Sequence, residues 1–332
     1  MLFALLLLSA AVIVLGICVG STGWEWPFAQ LSAEPVTAEQ QAGLQTILWE
    51  VRLPRTLGAW LAGALLGVAG AVAQGLFRNP LADPYLLGSA PGASLGVAIA
   101  LAATSGSPFA IGMVERLGVT GAAFIGATLA VLLTLSLARG VQHTLRLLLA
   151  GVVSGVVLSA LGSLVLLARP DILQAMQSFM LGSTSFIGWD ACLIMGGVLL
   201  FGLVAAWMLA RALDALALGE WTARTLGLPL GWMRAGLVGV LALATGAAVA
   251  QTGLIAFVGL AAPHLVRGMV QVRHGMLVIL SACMGGILLT AADVLARWVM
   301  APQELPTGIL TAVLGGTYLL WLMHRQPSGG ST

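Results

Sequence analysis

Apolar residues in this chain come in long, nearly unbroken runs, not in the two-residue alternation of a half-buried strand. The runs fall at about 2–20, 51–77, 86–104, 117–138, 145–168, 190–210, 233–252, 254–269, 276–296 and 305–323. A helix needs ~20 apolar residues to cross ~30 Å of hydrocarbon. Backbone groups in lipid must be bonded within the span, which favours helices here over alternating barrel strands. The pattern therefore predicts an all-α membrane protein with about ten transmembrane helices. The run at 254–269 is too short to cross unaided and is expected inside the bundle, where broken helices are tolerated. The longest connection, Ser21 to Glu50, is too short for a folded unit of its own, so residues 1–332 are expected to form a single transmembrane domain. The first run has no basic segment before it and no small-x-small cleavage site before Ser21, which predicts an uncleaved first span.

Composition agrees with lipid as the solvent: 59% of residues are hydrophobic and 8% charged, with a mean hydropathy of +1.03. A soluble domain of this size needs far more charge. Lysine is absent, and all 14 basic residues are arginines. A phosphate-cradling P-loop needs its lysine ammonium, so any ATPase that drives this protein is expected on another chain. Cys18, Cys192 and Cys283 lie in or beside apolar runs at spacings that suit neither zinc nor a disulfide framework, and they read as small buried hydrophobes.

Arginine placement orients the spans. With the amino terminus inside, Arg78, Arg139, Arg146, Arg211, Arg224, Arg234, Arg267, Arg273 and Arg325 fall in cytoplasmic connections. Arg52, Arg55, Arg116, Arg169 and Arg297 fall outside, and the excess within predicts two cytoplasmic termini.

Glycines recur at four-residue spacing at Gly63 and Gly67, at Gly88, Gly92 and Gly96, and at Gly151 and Gly155, giving smooth helix faces for close packing. The few polar residues in spans are Gln74, Ser154, Ser159, Ser163, Gln251, Thr290 and Asp293. Such residues face a bundle interior or a water-filled path, or bond between helices. Gln74, Ser154 and, beyond the spans, Gln177 are the pathway candidates. Asp293 precedes Arg297 by four residues, the favoured order for a helix ion pair.

Three connections are too polar or irregular to be simple links. Arg78 to Pro84 carries prolines at 80 and 84, which stop a helix and predict a rigid turn at the inner mouth. Leu213 to Gly227 is broken by Gly219 into two short helical pieces, the second with Glu220 and Arg224 placed as an i, i+4 pair. Short amphipathic helices of that kind suit a groove on a soluble partner. Arg169 to Trp189, containing Gln174, Met176, Gln177 and Phe179, has helical potential without the length to span.

No enzyme site emerges. His143, His264, His274 and His324 are far apart, and no metal-binding, paired-carboxylate or Ser-His-Asp arrangement is visible. No catalytic or metal residue is therefore assigned.

Several stretches together resemble the FecCD-type permeases of type II ABC importers, which serve vitamin B12, haem and iron–siderophore chelates. They are Val51–Leu57, Gln74–Pro84, Leu147–Gly151, Leu218–Glu220, Gly259–His264 and Glu304–Gly308, in that order. The resemblance implies the type II importer fold and a homodimer with the pathway on its twofold axis. It also implies two separate ATP-binding subunits that hold ATP-Mg, and a periplasmic substrate-binding protein. No cofactor bound directly and no nucleic acid is expected, and the location implied is a bacterial inner membrane. Leu213–Leu226 looks like the coupling helices that enter the ATPase, with Leu218, Gly219, Glu220 and Arg224 at the contact. Arg52 and Arg297 match arginines that dock the binding protein. Asn79, Pro80 and Leu81 match one part of the cytoplasmic gate, and His143, Thr144 and Leu145 the other. Where the vitamin B12 member has Thr-Ser in that gate, this chain reads Thr144-Leu145. An iron–siderophore or haem is the expected cargo, with a corrinoid as the alternative. An ion-coupled transporter is a more distant reading, given so few membrane carboxylates and no obvious inverted repeats.

Overall fold

The computed structural model describes residues 1–20, 23–24, 38–104, 113–138, 144–225 and 227–325. Each of the ten apolar runs corresponds to a helix. The first, α1 (Leu2–Cys18), ends in a small antiparallel hairpin that pairs Val19 with Trp24. Next, α2 (Ala38–Thr46) continues through a π-helical stretch, Ile47–Arg52, into α3 (Leu53–Phe77). Then follow α4 (Ser89–Thr104), α5 (Met113–Leu137) and α6 (Thr144–Ala168). A short outer helix, α7 (Leu173–Leu181), leads to the long α8 (Trp189–Ala217) and the six-residue α9 (Glu220–Thr225). The chain closes with α10 (Leu230–Thr252), α11 (Val258–Met269), α12 (His274–Trp298) and α13 (Thr307–Arg325).

Six helices among the described residues are long and apolar enough to cross a membrane, and α1, α4 and α13 are shorter apolar helices. At twelve residues, α11 cannot cross alone. It packs inside the bundle against α3 and α12, as the short run at 254–269 predicts.

The centre of the bundle is α3, whose most apolar stretch is 89% buried, against 11% for α6 at the periphery. Its glycines explain this position. A Cβ on Gly63 would lie 2.2 Å from the Gly285 carbonyl of α12, and one on Gly285 would lie 2.2 Å from the Gly63 carbonyl. At Gly70 the same atom would meet the Gly259 carbonyl of α11 at 1.7 Å. Only hydrogen fits there, so α3 touches two neighbours backbone to backbone. The same reciprocal fit joins Gly92 of α4 to Gly126 of α5.

Two sequence expectations are corrected. The segment 213–227 does not contain two short helices: Leu213–Ala217 is the last turn of α8, and only α9 is short. Arg55 and Arg297, counted among outer connections, are buried within helices α3 and α12. Arg139 lies outside the described residues, as do the side chains of Arg116 and Arg325.

Candidate functional site

At the inner end of α3, Arg78 takes a left-handed conformation, φ 51°, and ends the helix. Asn79 Oδ1 then accepts the Leu81 amide at 2.9 Å, and Asp83 Oδ1 accepts the Tyr85 amide at 2.7 Å. Each carboxyl or amide side chain closes a tight turn on its own backbone. With Pro80 and Pro84 they produce the rigid turn expected, ending in a 3₁₀ turn over Pro84–Leu87. Burial pushes the Asp83 carboxyl above its ordinary pKa, against the opposing pull of the Tyr85 amide. Asn79, Pro80 and Leu81 stay exposed.

The turn is gripped by α5 and α6. Thr134 donates to the Leu87 carbonyl at 3.0 Å and shares a hydrogen bond with Ser154 at 2.6 Å. A Cβ on Gly151 would sit 2.1 Å from the Leu86 carbonyl. Ser154, a pathway candidate in the sequence, is buried and tied to Thr134, the interhelical bond that was the other reading. Leu145, in the first turn of α6, is exposed. His143 lies outside the described residues, as does the side chain of Thr144.

Gln74 is tied in the same way. It is buried near the inner end of α3, donates to the Leu260 carbonyl at 3.0 Å and accepts from Arg267. It fastens α3 to α11. Above it the chain breaks between α10 and α11. Gly253 has φ +68° and Phe257 φ +67°, and the Phe257 side chain enters a notch at Gly315 of α13. Beside it a cavity of about 200 Å³ is lined by Phe257, Leu265, Leu288, Thr311 and Tyr318 among others.

Where α8 ends, Gly219 has φ +110° and turns the chain sharply between α8 and α9. Leu218 projects into solvent, and Trp221 is 82% exposed. Glu220 pairs with Arg234 of α10 at 3.3 Å, a partner that sequence spacing did not suggest; the side chain of Arg224 is outside the described residues. Asp214, in the last turns of α8, accepts from the His274 amide at 3.1 Å and lies 2.7 Å from its Nδ1. The segment around Gly219 is thus clamped on both sides, to α10 and to α12.

The outer end carries a charge network. Arg55 bonds Asp293 Oδ1 through Nε and Nη2 at 3.1 and 3.0 Å, and Glu304 through Nη1 at 3.0 and 2.8 Å. Arg297 Nη2 lies 2.7 Å from Asp293 Oδ2, paired though poorly aligned for a hydrogen bond. Arg297 Nη1 donates to the Gly16 and Val19 carbonyls at 2.8 and 2.6 Å. Thr184 donates to Asp293 and shares a hydrogen with Thr307 at 3.0 Å, while Ser185 donates to Glu304 at 3.1 Å. Two guanidiniums balance two carboxylates, which is what makes charges tolerable in such surroundings.

Arg297, expected to dock a partner, is 1% exposed and committed to α1 and Asp293. It has almost no surface to offer a partner. Arg52 remains half-exposed, with Nη1 3.4 Å from the Ile17 carbonyl. Gln177 is exposed on α7. Nearby, the hydrogen bond from Arg169 holds the Asp171 carboxyl below the usual carboxylate range. Sequence reasoning missed Tyr85, Arg55 and Glu304, whose partners lie about 170 to 250 residues away along the chain. No group of three or more His, Cys, Asp or Glu that could hold a metal occurs among the described residues.

Residues 5–325 match the FecCD transport family. The chain belongs to this family. Among relatives of this FecCD chain is the vitamin B12 import system permease protein BtuC of Klebsiella pneumoniae, 37% identical over 99% of this chain and 95% of that protein. Another is the hemin transport system permease protein HmuU of Yersinia pestis, 37% identical over 84% of each chain. A solved structure described as an inward-facing conformation of a metal-chelate type ABC transporter superposes with a TM-score of 0.84, at 26% identity and 98% coverage of both chains. The FecCD chain is accordingly a multi-pass membrane permease of an ABC importer, and its relatives are transport proteins, not enzymes.

Proposed function

We propose that this chain is the permease subunit of an ATP-driven importer for a metal chelate, an iron–siderophore or haem, in a bacterial inner membrane. The observation that carries the reading is the family match across residues 5–325, supported by a haem permease among the relatives. A corrinoid is the second reading, favoured by the vitamin B12 permease that matches 99% of the chain. Haem and corrinoid are both macrocyclic metal chelates.

The permease works as a homodimer with its pathway on the twofold axis. Peripheral α6, with Val152, Val156 and Leu164 half or more exposed, offers an apolar face to a second copy. Leu218, Gly219, Glu220 and Arg224 form the contact with a separate ATPase that holds ATP-Mg. The gate at Asn79–Leu81 and His143–Leu145 opens to the cytoplasm, where both termini lie, and Arg52 helps seat a periplasmic binding protein. No cofactor is bound by the permease itself.

The test is reconstitution in liposomes with a cognate ATPase subunit and substrate-binding protein. ATP-dependent uptake of haem or a ferric siderophore, without cobalamin uptake, supports the first reading. Cobalamin uptake alone supports the second, and uptake driven by an ion gradient without ATP overturns both.

A further inference from the structure

We infer that Tyr85 is a positioning residue that ties the inner turn to the break between α10 and α11, and through that break to the outer helix α7. Three sets of observations converge. First, the Tyr85 hydroxyl donates to the Ile255 carbonyl at 3.1 Å, in the middle of the break. The backbone end of the same residue is held by Asp83, so Tyr85 is fixed at both ends.

Second, the break is irregular backbone enclosed in protein, and its conformation is costly. Phe257 at φ +67° is a bulky side chain in a region that such residues seldom enter. Conformations of that kind persist only where the surroundings over-determine them. Tyr85 on one side and the Gly315 notch on the other supply that constraint.

Third, the break is bonded outward as well as inward. The Leu254 amide donates to the Phe179 carbonyl of α7 at 3.1 Å, and the Ser183 amide donates to the Thr252 carbonyl at 2.7 Å. Gly308, at the start of α13, donates to the Gly182 carbonyl at 3.1 Å. A movement of the inner turn is thereby delivered to α7 through one side-chain bond and two backbone bonds. Spatial continuity alone does not establish coupling, so the proposal stands or falls on a measurement of linkage.

That measurement is hydrogen exchange on the full chain in lipid nanodiscs, comparing wild type with Tyr85→Phe, which keeps the ring and deletes only the donor. One hydrogen bond of ordinary net strength corresponds to roughly three- to tenfold in a local opening equilibrium. The expected result is a rise of about that size in exchange at the Leu254 and Ser183 amides, with none for Thr46→Ala, which removes a hydroxyl bonded within its own exposed helix at 2.9 Å. Asp83→Ala, which frees the other end of the strut, should produce the same pattern if Tyr85→Phe does not fold. Faster exchange confined to residues 79–88 in either variant overturns the inference. The transport consequence rests on the importer reading: Tyr85→Phe should lower chelate moved per ATP hydrolysed at unchanged subunit occupancy. Absence of any ATP-driven uptake in wild type would defeat that reading and leave the exchange result standing.

Discussion

Arg297 and Arg52 have the same side chain at the same end of the bundle and opposite circumstances. Arg297 is enclosed and bonded to Asp293 and to α1, while Arg52 is only partly buried. An exposed rim charge acts mainly on encounter, and its effect fades with salt. Arg52→Glu should therefore slow association of the binding protein at low ionic strength and leave the fold intact, as surface plasmon resonance at two salt concentrations will show. Arg297→Glu places two carboxylates together in a buried site and should instead prevent recovery of folded protein. The network itself gives a second expectation. Breaking a buried ion pair from one side costs about 3–5 kcal/mol, so Asp293→Ala should lower the unfolding temperature sharply. Glu304→Gln, whose side chain is one-quarter exposed, should have a much smaller effect in the same thermal melt.

At the scale of elements, glycine decides which helices touch and where the chain turns. Gly285 faces Gly63 with no room for a methyl group on either side, whereas Gly219 has open space around it but a φ of +110°. Gly285→Leu should thus abolish assembly of the bundle, seen as loss of a monodisperse peak on size exclusion. Gly219→Trp should allow the bundle to form, because the strain falls on an exposed turn, and should uncouple ATP hydrolysis from transport in reconstituted vesicles. The four-residue glycine spacing was legible in the sequence, and it packs tightly at Gly63, Gly67, Gly92, Gly96 and Gly151, whereas Gly88 lies before α4 at φ +80° and Gly155 meets nothing nearer than Pro91 at 3.6 Å. Its partners were not legible: Gly151 receives the inner turn at Leu86, not another helix. Spacing describes one face of one helix and is silent about what approaches it.

For the whole molecule, the absence of lysine leaves no P-loop, so the purified chain should hydrolyse no ATP above background in a phosphate-release assay. Uptake should appear only when an ATPase subunit is added. The helix α10 and the short α11 show how membrane depth is managed. Backbone between Gly253 and Phe257 leaves helical geometry where α7, Tyr85 and α13 can bond or cover it, which lipid could not do.

The sequence by itself determined the membrane fold, the helix at each of its ten apolar runs, the short one among them, and the inner turn. These follow from apolar run length, from proline and from local Asx bonds, all of which act within about twenty residues. Only the tertiary structure decided the fate of the polar residues. Gln74 and Ser154 became ties, Arg55 and Glu304 entered a network, and Glu220 gained Arg234 of α10 as a partner. Each outcome depends on which helices lie side by side. In lipid that choice is made by close backbone approach at glycines, between residues as far apart as Gly63 and Gly285, and a buried charge then takes the partner this packing brings within reach.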